Sequence, residues 1–163
     1  MAERWVVNAS PIIVLAKAGS AQLLTALADE IVVPQTVIDE INVGPIDDPA
    51  RNWLSTYPLP TVAISNLPAE LLAWDLGAGE TAVMAYALAN LGWTAILDDY
   101  AARKCARSFG ISVKGTLAVV IMAKQKGLIS SASEIIRQLL QHDYRIDESI
   151  VREALARTVG EVW

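Results

Sequence analysis

The sequence predicts an α/β fold in which a mostly parallel sheet is covered by helices. The first reason is alternation: short apolar runs of strand length are followed, repeatedly, by stretches of helical length. The second is composition. The 163 residues are 53% hydrophobic and 19% charged, which suits one packed domain over residues 1–163. The third is that no internal repeat or low-complexity tract interrupts the pattern.

Residues 5–7, Trp-Val-Val, form a short apolar strand that stops at Asn8-Ala9-Ser10. Residues 11–18 and 21–28 read as two helical pieces broken at Gly19-Ser20. A second strand covers 31–33, and Pro34, which suits a first helical turn, opens a helix over 34–41. Residues 44–48 form a loop and 49–55 a short helix. Tyr57-Pro58-Leu59-Pro60 breaks structure before a strand at 61–64, and 68–74 is helical. Gly77-Ala78-Gly79 leads into a long helix over 80–91. The third clear strand, 94–97, precedes a helix at 100–109. Residues 112–114 form a short strand, and 116–126, almost wholly apolar up to Gly127, a buried helix. Helices near 132–142 and 147–157 finish the chain. In such folds ligands bind outside the carboxyl ends of the strands, so polar residues there carry the most weight.

Composition excludes several classes. A single cysteine allows no intrachain disulfide, and one Cys with one His does not make an ordinary zinc site. Cys105 is expected to be a buried thiol in a reducing compartment, which points to the cytoplasm. No secretory leader is read at the start, and the longest apolar run, residues 117–123, is far too short for a bilayer, so no membrane partner is expected. A net charge of −5 and a pI near 4.8 argue against a general nucleic-acid coat but leave room for a local basic patch.

Four positions then stand out. Glu80 shares a helical face with Met84, Ala87, Leu88 and Leu91, next to Val83. A carboxylate in such a stripe is costly unless paired, hydrogen-bonded or metal-bound. An acid in the first turn is also favoured by the helix dipole alone. Glu40 lies at the border of the face formed by Pro34, Val37, Ile38 and Ile41, with Asp39 opposite; Glu40 either leans toward the sheet edge or stays solvated. Asp98-Asp99 ends the third strand and opens a helix. Capping needs only one of the two, and the second adds like-charge repulsion. Asn8 ends the first strand at the same rim; it is either a turn-former or an oxygen donor to a hard cation or bound water.

Carboxylates gathered at one rim repel and raise one another's pKa, a conflict that a divalent cation removes. Oxygen donors without His or Cys select Mg²⁺ or Mn²⁺, and such ions point to phosphodiester chemistry. Between residues 95 and 130 stand six basic residues, Arg103, Lys104, Arg107, Lys114, Lys124 and Lys126, against only Asp98 and Asp99. On the helix at 100–109, Ala102, Cys105, Ala106 and Phe109 face one way and Arg103, Lys104 and Arg107 the other. That basic face suits either a phosphate backbone or plain solvent.

These residues resemble the PIN domain, the metal-dependent ribonuclease fold of many prokaryotic toxins. "VVNASPIIVLAKAGSAQLL" resembles the family's first strand and following helices, and "IVVPQTVIDEI" the strand and helix that carry its second acid, at Glu40. "LGAGETAVMAYALANLG" resembles the helix that carries the third, at Glu80. "AILDDYAARKCARSFGISVKGTLAVVIMAKQKGLI" resembles the last strand–helix block of a subgroup with a double Asp, a basic helix and a Gly-Thr. Related ribosome-assembly endonucleases carry the acid second in such a pair, which favours Asp99 over Asp98. Two positions depart from the pattern: Asn8 stands in a slot that is usually Asp, and Leu97 where many relatives have Thr or Ser.

The resemblance implies a three-layer α/β/α sandwich, one or two Mg²⁺ or Mn²⁺ ions, cleavage of single-stranded RNA, an antitoxin protein partner and a homodimer. It makes Glu80, Asp99, Glu40 and Asn8 the metal ligands, with Asp98 in the same catalytic group. Arg103 and Lys104 would hold phosphates, and Ser10 and Thr116 would hydrogen-bond the substrate. A second reading, supported by Asn8, is a PIN-like module that binds RNA or protein without catalysis. A phospho-receiver is disfavoured, since it needs an acidic pair after its first strand and a Lys-Pro near its last, where this chain has Asn8 and Lys114-Gly115.

Overall fold

The strand that begins the chain, β1 (Arg4–Val7), carries Trp5, Val6 and Val7, all without exposed surface. A strand buried on both faces belongs in the middle of a covered parallel sheet. That is its position in the computed structural model, which describes residues 2–163. The elements that follow are α1 (Ala9–Lys17), α2 (Gln22–Leu27), β2 (Glu30–Pro34), α3 (Gln35–Val43), α4 (Pro49–Thr56), β3 (Thr61–Val62) and α5 (Ala69–Leu72). Then come α6 (Ala78–Ala89), β4 (Trp93–Ile96), α7 (Tyr100–Ser108), β5 (Ser112–Lys114), α8 (Thr116–Gln125), α9 (Ala132–Leu140) and α10 (Glu148–Thr158). The five strands pair in parallel in the order β3-β2-β1-β4-β5, with Trp5 opposite Ile31 on one side and Thr94 on the other. With helices on both faces, this is a three-layer α/β/α sandwich of PIN type.

The order of strands fixes where a ligand can sit. From β1 the chain builds outward through β2 and β3, then returns to the other side for β4 and β5. The connections leaving β1 and β4 therefore part company, and a crevice opens outside their carboxyl ends. Asn8 follows β1 and Asp98-Asp99 follows β4, and the Asn8 backbone N–H donates to Ile96 O at 3.0 Å, lacing the two strand ends together. On the next layer α6 packs over β1, β2 and β4 and against α3, which brings Glu80 and Glu40 to the same rim.

Helix α8 packs against α2, α9 and α10, which explains its apolar residues on nearly every side. The tail is fastened by Glu161, whose carboxylate accepts the backbone N–H groups of Ala132 and Ser133 at 2.9 Å each, and by Arg137 stacked 4.6 Å from the Trp163 ring centroid. Cys105 is buried and free, as expected. Among the described residues, no helix is long and apolar enough to cross a membrane.

Several boundaries differ from the sequence expectation. Pro34 does not open α3; it closes β2 in extended backbone (φ −59°, ψ 144°) opposite Val62. A proline ring restricts φ to a value that both conformations share, so sequence alone leaves the choice open. Helix α6 starts at Ala78, not at Glu80, and ends at Ala89, so Leu91 lies beyond it and is 90% exposed. The strand expected over 61–64 pairs only at Thr61 and Val62, and the helix expected over 68–74 is confined to Ala69–Leu72.

Candidate active site

Asn8 holds the N-cap position of α1 in extended backbone (φ −81°, ψ 166°), yet its side chain caps nothing. The residue is 5% exposed, and among the described residues its Oδ1 has no hydrogen-bond partner. A buried amide oxygen left without a donor costs about 1–3 kcal/mol. A turn-forming role would have used that oxygen on a nearby N–H.

Gly79, in the first turn of α6, explains how Asn8 and Glu40 meet. A Cβ on Gly79 would lie 2.7 Å from Glu40 Oε1 and 3.2 Å from Asn8 Oδ1. The two oxygens, one from α3 and one from the β1–α1 junction, converge on bare glycine backbone. Glu40 thus leans toward the sheet rim, while the neighbouring Asp39 accepts a bond from Gln35 Nε2 at 2.8 Å on the outer side of α3. Glu80 follows one residue after Gly79 and is partly buried. Burial pushes its carboxyl above the ordinary value, and the charges of Asp99 and then Glu40 push it further. Glu80 therefore feels two other acids, from separate parts of the chain, at this rim.

The aspartate doublet divides its work. Asp98 is held by the start of α8: Oδ1 accepts the Thr116 backbone N–H at 2.8 Å and Oδ2 the Thr116 hydroxyl at 2.5 Å. Burial raises its pKa, against the pull of those two bonds and of the nearby Arg103. Asp99 is exposed and caps α7, with Oδ2 accepting the Ala102 N–H at 3.0 Å. One acid of the pair anchors structure across the sheet edge, and the other remains at the surface facing Glu80.

Asn8, Ser10, Glu80, Asp98 and Asp99 line one cleft of about 310 Å³, together with Asp143, Tyr144 and Arg145. Ser10 is exposed there, as a substrate contact requires. Thr116 departs from the expectation: it has no exposed surface, and its hydroxyl is spent on Asp98, so it positions an acid and does not reach the cleft. Arg103 folds back beside Gly115 and Asp98, and exposed Lys104 lines neither this cleft nor the larger one next to it. The sequence reading missed Asp143, Tyr144 and Arg145. They sit between α9 and α10 and reach the rim only through the chain's return; Asp143 is left-handed there (φ 68°). The only sequence signal was a polar stretch between two helices.

The donor set fits a hard divalent cation in kind. Every candidate atom is an oxygen, the charges of Asp99 and Glu40 press on Glu80, and Asn8 Oδ1 is buried without a donor. Among the described residues, no group of three His, Cys, Asp or Glu side chains is placed to hold a metal ion.

A family model described as a PIN domain matches residues 4–160. The chain belongs to the PIN-domain family. The PIN domain is a nuclease fold, and its members generally use divalent metal ions. No curated protein matches the chain. In this PIN domain the rim at the ends of β1 and β4 holds a buried amide, Asn8, beside acids that are partly or fully exposed.

Proposed function

We propose that this PIN domain is an endoribonuclease that hydrolyses phosphodiester bonds of single-stranded RNA with Mg²⁺ or Mn²⁺. Glu80, Asp99 and Glu40 would hold the ion, with Asn8 Oδ1 as a neutral fourth oxygen. When bound, such an ion supplies charge neutralisation at the phosphate and a water of lowered pKa. The single observation that carries the reading is the buried Asn8 oxygen, left without a donor beside acids whose charges raise the Glu80 pKa.

The chain's own residues have separable tasks. Gly79 keeps side-chain bulk out of the point where Glu40 and Asn8 meet. Asp98, gripped by Thr116, fixes the backbone that presents Asp99. Ser10 offers a hydroxyl to a phosphate oxygen, and Arg145 sets a positive charge at the rim of an acidic cleft. Cleavage of a labelled single-stranded RNA with Mn²⁺, together with Mn²⁺ titration calorimetry, tests the reading. Glu80→Gln and Asp99→Asn should each abolish cleavage and weaken binding; wild-type cleavage by both variants rules this site out.

The neutral Asn8 favours one alternative, a PIN module that binds RNA or protein without cutting. Asn8→Asp separates the two. Cleavage that rises in the variant supports the nuclease, and absence of Mn²⁺ binding even then supports the scaffold. A toxin role with an antitoxin partner and a homodimer is supported by the family resemblance. Growth arrest on expression, relieved by Glu80→Gln, tests that role.

A further inference from the structure

We infer that a second cleft, bordered by α7, the start of α8 and the connection from α9 to α10, binds the nucleotides that flank the cut; this rests on the ribonuclease reading for its substrate. The cleft measures about 500 Å³ and adjoins the acidic one, sharing Asp98, Tyr144 and Arg145 with it. Tyr144, largely buried, stands between the two, next to Asp98, Arg103 and the Leu117 backbone.

Its charge is opposite to that of its neighbour. Arg103, Arg107, Lys114 and Arg145 line it against two carboxylates, Asp98 and Asp147. Both carboxylates are already engaged: Asp98 by Thr116, and Asp147 by the Ser149 backbone N–H at 2.8 Å and hydroxyl at 2.6 Å. Lys114 has Glu3 at 3.7 Å. Among the described residues, Arg103, Arg107 and Arg145 have no ion pair within 4.0 Å. In a chain of net charge −5, Arg107 and Arg145 without paired carboxylates, with Arg103 beside Asp98, around one hollow mark a place for anions.

The floor is apolar, with Val113, Leu117, Ile121 and Ile146, and Tyr100 stands at the α7 end, 75% exposed. Arginines with an apolar floor and an exposed ring match the two parts of a single strand: a phosphate backbone and bases whose faces are free. A small inorganic anion would use the arginines but not the floor. A duplex keeps its base faces stacked, so it would not use the ring. The shared border at Arg145 lets one strand run from this cleft into the acidic one.

The test is fluorescence anisotropy with a labelled single-stranded RNA of about ten nucleotides, in EDTA, across a KCl series. Arg107→Glu with Arg145→Glu should weaken binding and lower the slope of log affinity against log salt by roughly 1.4, at about 0.7 per lost contact. Tyr100→Ala should weaken binding about five-fold or more at unchanged slope. Lys126→Glu, at the far end of α8, is the control, with half the charge change of the double variant. If the Arg107/Arg145 and Tyr100 variants bind and cut like wild type while Glu80→Gln abolishes cutting, this cleft is overturned and the nuclease stands. If wild-type protein never cuts but the cleft variants bind weakly as described, the cleft stands and the nuclease falls. Weakening by Lys126→Glu equal to that of the double variant also overturns the cleft.

Discussion

Replacing Gly79 with alanine puts a methyl group at the point where Glu40 and Asn8 meet. The new carbon would lie 2.7 Å from Glu40 Oε1, 3.4 Å from Glu40 Cδ and 3.2 Å from Asn8 Oδ1. Real contacts of this kind are longer, so the oxygens must move. Glu40 is exposed and can swing away at little cost, whereas Asn8 is buried and can shift only by tenths of an ångström. Gly79 sits inside α6 in backbone that L-residues adopt freely, so alanine should stabilise the helix by up to about 1 kcal/mol. For a chain of this size that is roughly 2–4 °C in Tm. Function should move the other way. Displacing one ligand and crowding another should weaken Mn²⁺ binding and cleavage on the order of 10- to 100-fold. Thermal melts in EDTA and Mn²⁺ calorimetry on the same preparation make the comparison. Wild-type Mn²⁺ affinity in a stable Gly79→Ala protein would refute the idea that these two oxygens act at one point.

Glu80→Gln should lose activity yet stabilise the metal-free protein near pH 8. The folded carboxyl is raised by burial, Asp99 and Glu40, so the folded chain holds that proton more tightly than the unfolded one. The ionised form therefore penalises the fold above the folded pKa, and the penalty lifts as pH falls through it toward the ordinary carboxylate value. The Tm advantage of the variant in EDTA should shrink on acidification; a lower Tm than wild type at pH 8 would sink this account. Thr116→Val, nearly isosteric, removes one of two bonds to a partly buried carboxylate, the 2.5 Å hydroxyl contact to Asp98. It should cost about 1.5–3 kcal/mol and several degrees of Tm, checked by denaturant unfolding; an unchanged midpoint would show that Asp98 is held by the backbone bond alone.

Much of the fold was legible because burial follows sequence period. The Trp-Val-Val of β1, the largely apolar α8 and the amphipathic α7 each announce their surroundings through which positions are apolar. Boundaries were less legible where one backbone angle suits two conformations, as at Pro34, or where the N-cap is a glycine, as Gly77 is for α6. The candidate site was legible only in part. Asn8, Glu40, Glu80 and the aspartates stand out one by one, but nothing local distinguishes Asp98 from Asp99. Their division of labour depends on Thr116, which lies 18 residues away and meets only Asp98.

The sequence by itself determined the alternating architecture, the carboxyl-end placement of the acids and the basic face of α7, because each depends on residue period and neighbouring residues. Tertiary structure alone decided that Asn8 and Glu40 meet over Gly79, that Thr116 is turned inward, and that Asp143, Tyr144 and Arg145 join the rim. Those contacts form between segments far apart in the chain, and their geometry is set by how the helices pack across the sheet.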